Sequence, residues 1–137
     1  MKVELILNGR VATLNVRSDA MLLEALRDLG LNSVRETCAI GVCGACTVLL
    51  DGEPVSGCLT LAATAAGREV TTVEGLDGAD PVLRAFHDAH AFQCGWCTPG
   101  FVLAVKAGER TREGLGGNLC RCGCYVKIEE AVRACVS

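Results

Sequence analysis

Cysteine spacing constrains this chain more than any other feature. Ten cysteines occur in 137 residues, and they fall in two separate groups. The first is Cys38-x4-Cys43-x2-Cys46, with Cys58 following after eleven residues. The second sets Cys94-x2-Cys97 against Cys120-x-Cys122, with Cys124 and Cys135 beyond. A chain of this length ordinarily makes one domain, but two separated cysteine groups argue for two small ones. A unit of roughly 60–75 residues buries little apolar surface and often needs a metal or a disulfide.

Disulfides require an oxidising compartment. The start, Met1 to Leu5, has no basic stretch leading into an apolar run, and no twin-arginine stretch is present. No apolar run approaches the roughly 18 residues of a membrane helix. The chain therefore reads as cytoplasmic and without a membrane span, a setting in which thiols stay reduced and clustered cysteines bind metal. The net charge is −3 and no Lys/Arg cluster forms a phosphate-tracking face, so nucleic acid is not expected as a partner. A single Trp and a single Tyr leave little for base stacking.

The first group matches the known plant-type spacing for a 2Fe–2S cluster. A loop that wraps such a cluster must bend tightly and turn backbone N–H groups toward sulfur. Gly41 and Gly44 tolerate the positive φ this needs, and the small Ala39 and Ala45 permit close approach. N–H donors stabilise the negative charge added on reduction. A zinc knuckle normally shows two C-x2–4-C pairs, which three cysteines within nine residues and a distant fourth do not resemble. On spacing alone the second group leaves iron–sulfur, zinc and a C-x-x-C redox dithiol open. Cys97 precedes the helix start Thr98-Pro99, where the positive helix end favours a thiolate. Two oxidised clusters with four thiolates each would add −2 apiece, taking the charge from −3 to about −7.

Periodicity divides the chain in the same way. Val3, Leu5 and Leu7 alternate as in a half-buried strand, Asn8-Gly9 signals a hairpin, and Ala12, Leu14 and Val16 alternate on the return. Ser18-Asp19 reads as a cap for a helix carrying Leu22, Leu26 and Leu29, which Gly30 ends. Strands are expected at Thr47 to Leu50, Val55 to Ser56 and Val70 to Val73, around a turn at Asp51-Gly52. Beyond a linker at 75–80 the period becomes helical. Asp80-Pro81 and Thr98-Pro99 open two helices, and a third runs from about Val126 with Ile128, Val132 and Cys135 on one face and Glu129/Arg133 paired. The expectation is an α+β chain: a β-grasp 2Fe–2S ferredoxin-like domain over 1–76, then an all-α domain carrying the second cysteine group over 77–137.

Three longer motifs resemble those of the xanthine oxidase family of molybdenum hydroxylases. They are Cys43-Gly-Ala-Cys-Thr-Val-Leu-Leu-Asp-Gly52, Gln93-Cys-Gly-Trp-Cys-Thr-Pro-Gly100 and Gly117-Asn-Leu-Cys-Arg-Cys122. They occur in the family's order, and the resemblance covers essentially the whole chain. It implies the small iron–sulfur subunit, as in xanthine and aldehyde oxidoreductases and carbon monoxide dehydrogenase, with a four-helix-type C-terminal domain. It implies Cys38, Cys43, Cys46 and Cys58 as ligands of the N-terminal cluster, and Cys94, Cys97, Cys120 and Cys122 as ligands of the C-terminal one. Molybdopterin would sit in a large partner subunit and FAD in a medium one, assembled as a dimer of heterotrimers. Electrons would run from molybdenum through the C-terminal and then the N-terminal cluster to FAD. Gln93 and Cys122 match the pterin-contacting positions. Catalytic residues and a substrate site would lie outside this chain. A free-standing 2Fe–2S carrier is the competing reading, and it has no need of the second motif.

Two departures stand out. The 22 residues between Cys97 and Cys120 are fewer than the family carries, which predicts a shortened helix and a tightened connection. Gly123-Cys124-Tyr125 replaces the common Thr-Gly-Tyr, so Cys124 is left over and, with Cys135, is expected to pack as a small apolar residue. His87 and His90 read as a solvated helix face. Trp96 reads as a shield for the cluster or a partner contact, and Arg35 and Arg121 as partners of local carbonyls or carboxylates.

Overall fold

A computed structural model describes residues 1–136; Ser137 lies outside the described residues. Strands β1 (Lys2–Leu7) and β2 (Arg10–Asn15) form the expected hairpin, with Asn8 at φ 50° and Gly9 at φ 81°. Positive φ at both turn positions matches the right-handed twist of the flanking strands. Helix α1 (Leu22–Asp28) follows, then β3 (Thr47–Leu50), β4 (Glu53–Ser56) and β5 (Glu69–Thr71). The sheet order is β2-β1-β5-β3-β4, with β5 parallel to β1 and antiparallel to β3. Val3, Leu5, Leu14, Val48 and Val70 bury one face of this sheet against Leu22, Leu23 and Leu26 of α1. This is the β-grasp arrangement.

Asn8 also does something its turn role does not announce. Its Oδ1 accepts from Thr72 N at 2.8 Å and its Nδ2 donates to Thr72 Oγ1 at 2.9 Å, tying the first hairpin to the end of the sheet. Ser18-Asp19 does not cap α1. Asp19 instead pairs with Arg17, the cap position is Met21, and Glu24 Oε2 accepts from Met21 N. A competing charge two residues away has taken the carboxylate.

Three helices make the second unit: α2 (Pro81–Asp88), α3 (Thr98–Lys106) and α4 (Tyr125–Val136). Asp80 caps α2 by accepting from Val82 N at 2.9 Å, with Pro81 at the first helical position. Phe86, Phe101, Val102, Val105, Ile128 and Val132 form a second core, distinct from the first. Among the described residues no helix forms between α3 and α4, and residues 112–117 are consecutive turns. They border a groove of about 700 Å³ floored by Phe101, Leu115, Ile128 and Val132. Glu129 does not pair with Arg133; the shortened segment brings Arg112 to it at 2.5 Å. His87 is exposed on α2 as expected, while His90, also exposed, lies beyond the helix end at φ 50° and not on its face. No helix among the described residues is long and apolar enough to cross a membrane.

Candidate metal centres

The first cysteine loop is built by backbone conformations that side chains rarely adopt. Ala39, Gly41 and Gly44 stand at φ 57°, 78° and 72°. These bends turn successive N–H groups inward. Ile40, Val42 and Cys43 all donate to Cys38 Sγ at 3.4 Å, and Ala45 N donates to Cys43 Sγ at the same distance. The donors from Ile40, Cys43 and Val42 hold the Cys38 thiol down to about 6. Cys58 arrives from β4, and its N–H donates to Cys46 Sγ at 3.4 Å. Burial pushes the Cys46 thiol up to about 11. The thiols stand in two contacting pairs, Cys38 with Cys43 and Cys46 with Cys58. Among the described residues no three His, Cys, Asp or Glu side chains converge on one ion. Two pairs of thiols suit a binuclear core, in which each iron takes two protein ligands.

The second set is split between α3's N-terminus and the loop entering α4. Trp96 N donates to Cys94 Sγ and Cys124 N to Cys120 Sγ, each at 3.4 Å. Tyr125 Oη accepts from Cys120 N at 2.8 Å. Cys97 and Cys120 are in thiol contact, while Cys94 and Cys122 are exposed. The helix end does not govern Cys97 as its position suggested: burial, then the neighbouring Cys120, pushes its thiol up to about 12. A thiolate there needs a cation beside it. Burial also works to raise Cys120, but the Cys124 N–H and the Cys97 thiol outweigh it and leave it below its ordinary value. Gln93 Nε2 donates to Cys122 O at 3.2 Å, so the two residues matched to pterin contact are neighbours on an exposed face. Cys124 is buried in the second core, 5% exposed, and Cys135 packs on its edge.

The residues present fit iron–sulfur clusters. N–H donors meet Cys38, Cys43 and Cys46 in the first set and Cys94 and Cys120 in the second. Among the described residues two buried side-chain atoms lack any hydrogen-bond partner, Arg35 Nε and Thr98 Oγ1. Each is a donor close in sequence to one of the two sets, and sulfur would satisfy it.

The two loops touch. Leu119 N donates to Cys43 O at 2.9 Å, Asn118 Nδ2 to Gly44 O at 3.1 Å and to Thr47 Oγ1 at 3.3 Å, and Trp96 Nε1 to Thr37 Oγ1 at 2.7 Å. A cavity of about 310 Å³ lies between them, walled by Thr37, Cys43 and Ala45 on one side and Cys94, Trp96, Cys97 and Cys120 on the other. None of these contacts was expected from sequence. Asn118 stood inside a recognised motif, but its role as a bridge needs the other loop to be in place.

Fold and site together define a protein with two 2Fe–2S-binding units. A family model described as "2Fe-2S iron-sulfur cluster binding domain" matches residues 11–98, and one described as "[2Fe-2S] binding domain" matches 72–133. The nicotinate dehydrogenase small FeS subunit of Eubacterium barkeri is 42% identical over 147 aligned positions, covering 98% of this chain and 94% of that one. The xanthine dehydrogenase iron-sulfur-binding subunit of Escherichia coli O157:H7 is 40% identical over 147, covering 97% and 92%. Both alignments exceed the chain's 137 residues, so the relatives carry insertions. Among solved structures, quinoline 2-oxidoreductase from Pseudomonas putida 86 superposes with a TM-score of 0.90 at 37% identity, covering 96% of this chain and 90% of that chain. Aldehyde oxidoreductase from Desulfovibrio desulfuricans matches with a TM-score of 0.87 at 37% identity, this chain corresponding to 17% of that longer one. The chain belongs to the small iron–sulfur subunits of the xanthine oxidase, or molybdenum hydroxylase, family.

Proposed function

We propose that this chain is the electron-transfer subunit of a cytoplasmic molybdenum hydroxylase, with Cys38, Cys43, Cys46 and Cys58 holding one 2Fe–2S cluster and Cys94, Cys97, Cys120 and Cys122 the other. Electrons pass one at a time from molybdenum in a large molybdopterin subunit, through the C-terminal and then the N-terminal site, to FAD in a medium subunit of a dimer of heterotrimers. Each cluster, when bound, supplies a one-electron store. The chain's own residues hold these sites together and face them toward partners. Gln93 and Cys122 present the second site to the pterin. The chain carries no substrate site. It divides into units 1–76 and 77–137, a division supported by the two cores, although Val73 and Leu76 already pack on the second.

The observation that carries this reading is the Leu119 N–H to Cys43 O hydrogen bond at 2.9 Å. It joins a proposed ligand of one site to the residue preceding a proposed ligand of the other. A free carrier gains nothing from this juxtaposition; a two-site conduit requires it. Expression with candidate molybdenum and flavin subunits is the test. The expected result is co-purification, four irons per chain, and two distinct 2Fe–2S EPR signals reduced by substrate. A colourless zinc-loaded chain, or a red-brown chain that associates with neither subunit, would sink it.

A further inference from the structure

Arg35 stands just before the first cysteine loop. It is half-buried, and among the described residues no carboxylate pairs with it. Its Nη1 donates to Asn32 O at 2.7 Å, and its backbone N–H donates to Ala45 O at 3.1 Å, between Cys43 and Cys46. Its Cζ lies 4.6 Å from the ring centroid of Trp96, which sits between Cys94 and Cys97 and is itself held by Thr37. Its Nε is buried and finds no acceptor. The guanidinium is thus stacked on the loop of the second cysteine set, while the backbone of the same residue is tied to the loop of the first. Partly buried charges are normally paired, and no carboxylate among the described residues pairs this one.

We propose that Arg35 is a positioning residue whose fixed positive charge is the counter-ion of the two clusters and raises the reduction potential of both. This rests on the function proposed above. The electrostatics fix the sign. A 2Fe–2S core with four thiolates is −2 when oxidised and −3 after one electron, so a nearby cation stabilises the reduced form more. Arginine suits the place because its planar, permanently charged group stacks on an indole while its stem is buried. Stacking on Trp96 holds it at the second set, the backbone bond to Ala45 anchors the residue at the first, and among the described residues no carboxylate competes for it.

The test is an EPR-monitored redox titration of the purified complex with dithionite, comparing Arg35→Gln, Arg35→Met and Arg35→Lys. At a fixed potential, the neutral variants are expected to show about a tenfold smaller reduced-to-oxidised ratio for both clusters, a fall of about 59 mV for a one-electron couple. Arg35→Lys keeps the charge and is expected to stay near wild type. If both neutral variants lose iron while Arg35→Lys keeps both clusters at wild-type potential, a requirement for charge is equally demonstrated. Unchanged potentials in a fully loaded Arg35→Gln would overturn the proposal. So would an Arg35→Lys that shifts or loses iron as much as the neutral variants, because shape and not charge would then be the cause. A wild-type chain lacking two 2Fe–2S signals would instead overturn the function on which the proposal rests.

Discussion

Replacing Gly44 by Ala tests the seam between the two cysteine loops. Gly44 stands at φ 72°, where an L side chain costs about 1–2 kcal/mol. A Cβ there would also meet Gly117 O at 2.3 Å and Asn118 Nδ2 at 2.5 Å. The first is backbone and cannot turn away, so the loops must part. Parting them weakens the Asn118 to Gly44 and Leu119 to Cys43 hydrogen bonds, each worth about 1 kcal/mol. The expected total is about 3–4 kcal/mol. Two controls separate the terms. Gly52, at φ 82°, and Gly95, at φ 79° within the second cysteine loop, have nothing within 4 Å of an added Cβ. Gly52→Ala and Gly95→Ala are each expected to lose only the conformational cost, about 1–2 kcal/mol. Urea unfolding followed by far-UV circular dichroism gives the three values, and visible absorbance at each point reports the clusters. A Gly44→Ala loss equal to that of Gly52→Ala would refute the reasoning, because the seam would then contribute nothing.

Asp80→Asn keeps an oxygen for the α2 cap but removes the ion pair between the buried Asp80 and Lys106 at 2.5 Å. The pair is expected to contribute up to about 1 kcal/mol, because Lys106 remains partly exposed. Burial works to raise Asp80, but Lys106 and the Val82 N–H outweigh it and hold it below 3.8. The difference between wild type and variant should therefore be full at neutral pH, persist down to about pH 4, and vanish below that as the folded-state carboxylate protonates; Tm measured across pH 2–7 checks this. Cys124→Ala should keep full iron content and cost about 1 kcal/mol of packing, measured by iron assay and thermal unfolding; loss of one cluster's iron would make Cys124 a ligand. Cys43→Ala should abolish the N-terminal EPR signal while substrate still reduces the C-terminal one. Cys97→Ala should stop substrate from rapidly reducing the cluster that remains, and normal reduction in rapid-freeze EPR would reverse or branch the proposed order.

The sequence by itself determined the tight turns and the proline-led helix starts, since each depends on neighbours within a few residues. The Asn8-Gly9 and Asp51-Gly52 turns follow from the positive φ those residues tolerate, and all four positions adopt it. The starts of α2 and α3 follow from prolines whose missing N–H costs nothing there. The grouping of the thiols was legible because a binuclear core dictates spacing. Tertiary structure decided what depends on parts of the chain distant in sequence. Glu129 took Arg112 instead of its helical neighbour Arg133 because the shortened 111–117 segment lies against α4. Cys97 follows its burial beside Cys120 more than the helix end it adjoins, since desolvating a thiolate outweighs the partial charge of one turn. In the sequence Arg35 and Gly44 have only local roles, Asn118 belongs to a motif and Thr37 has no role, yet the four join the two cysteine loops. Each contact spans roughly 60–75 residues, so no periodicity or local spacing could record it. Only the docking of the helical unit against the β-grasp sheet brings the two loops into register.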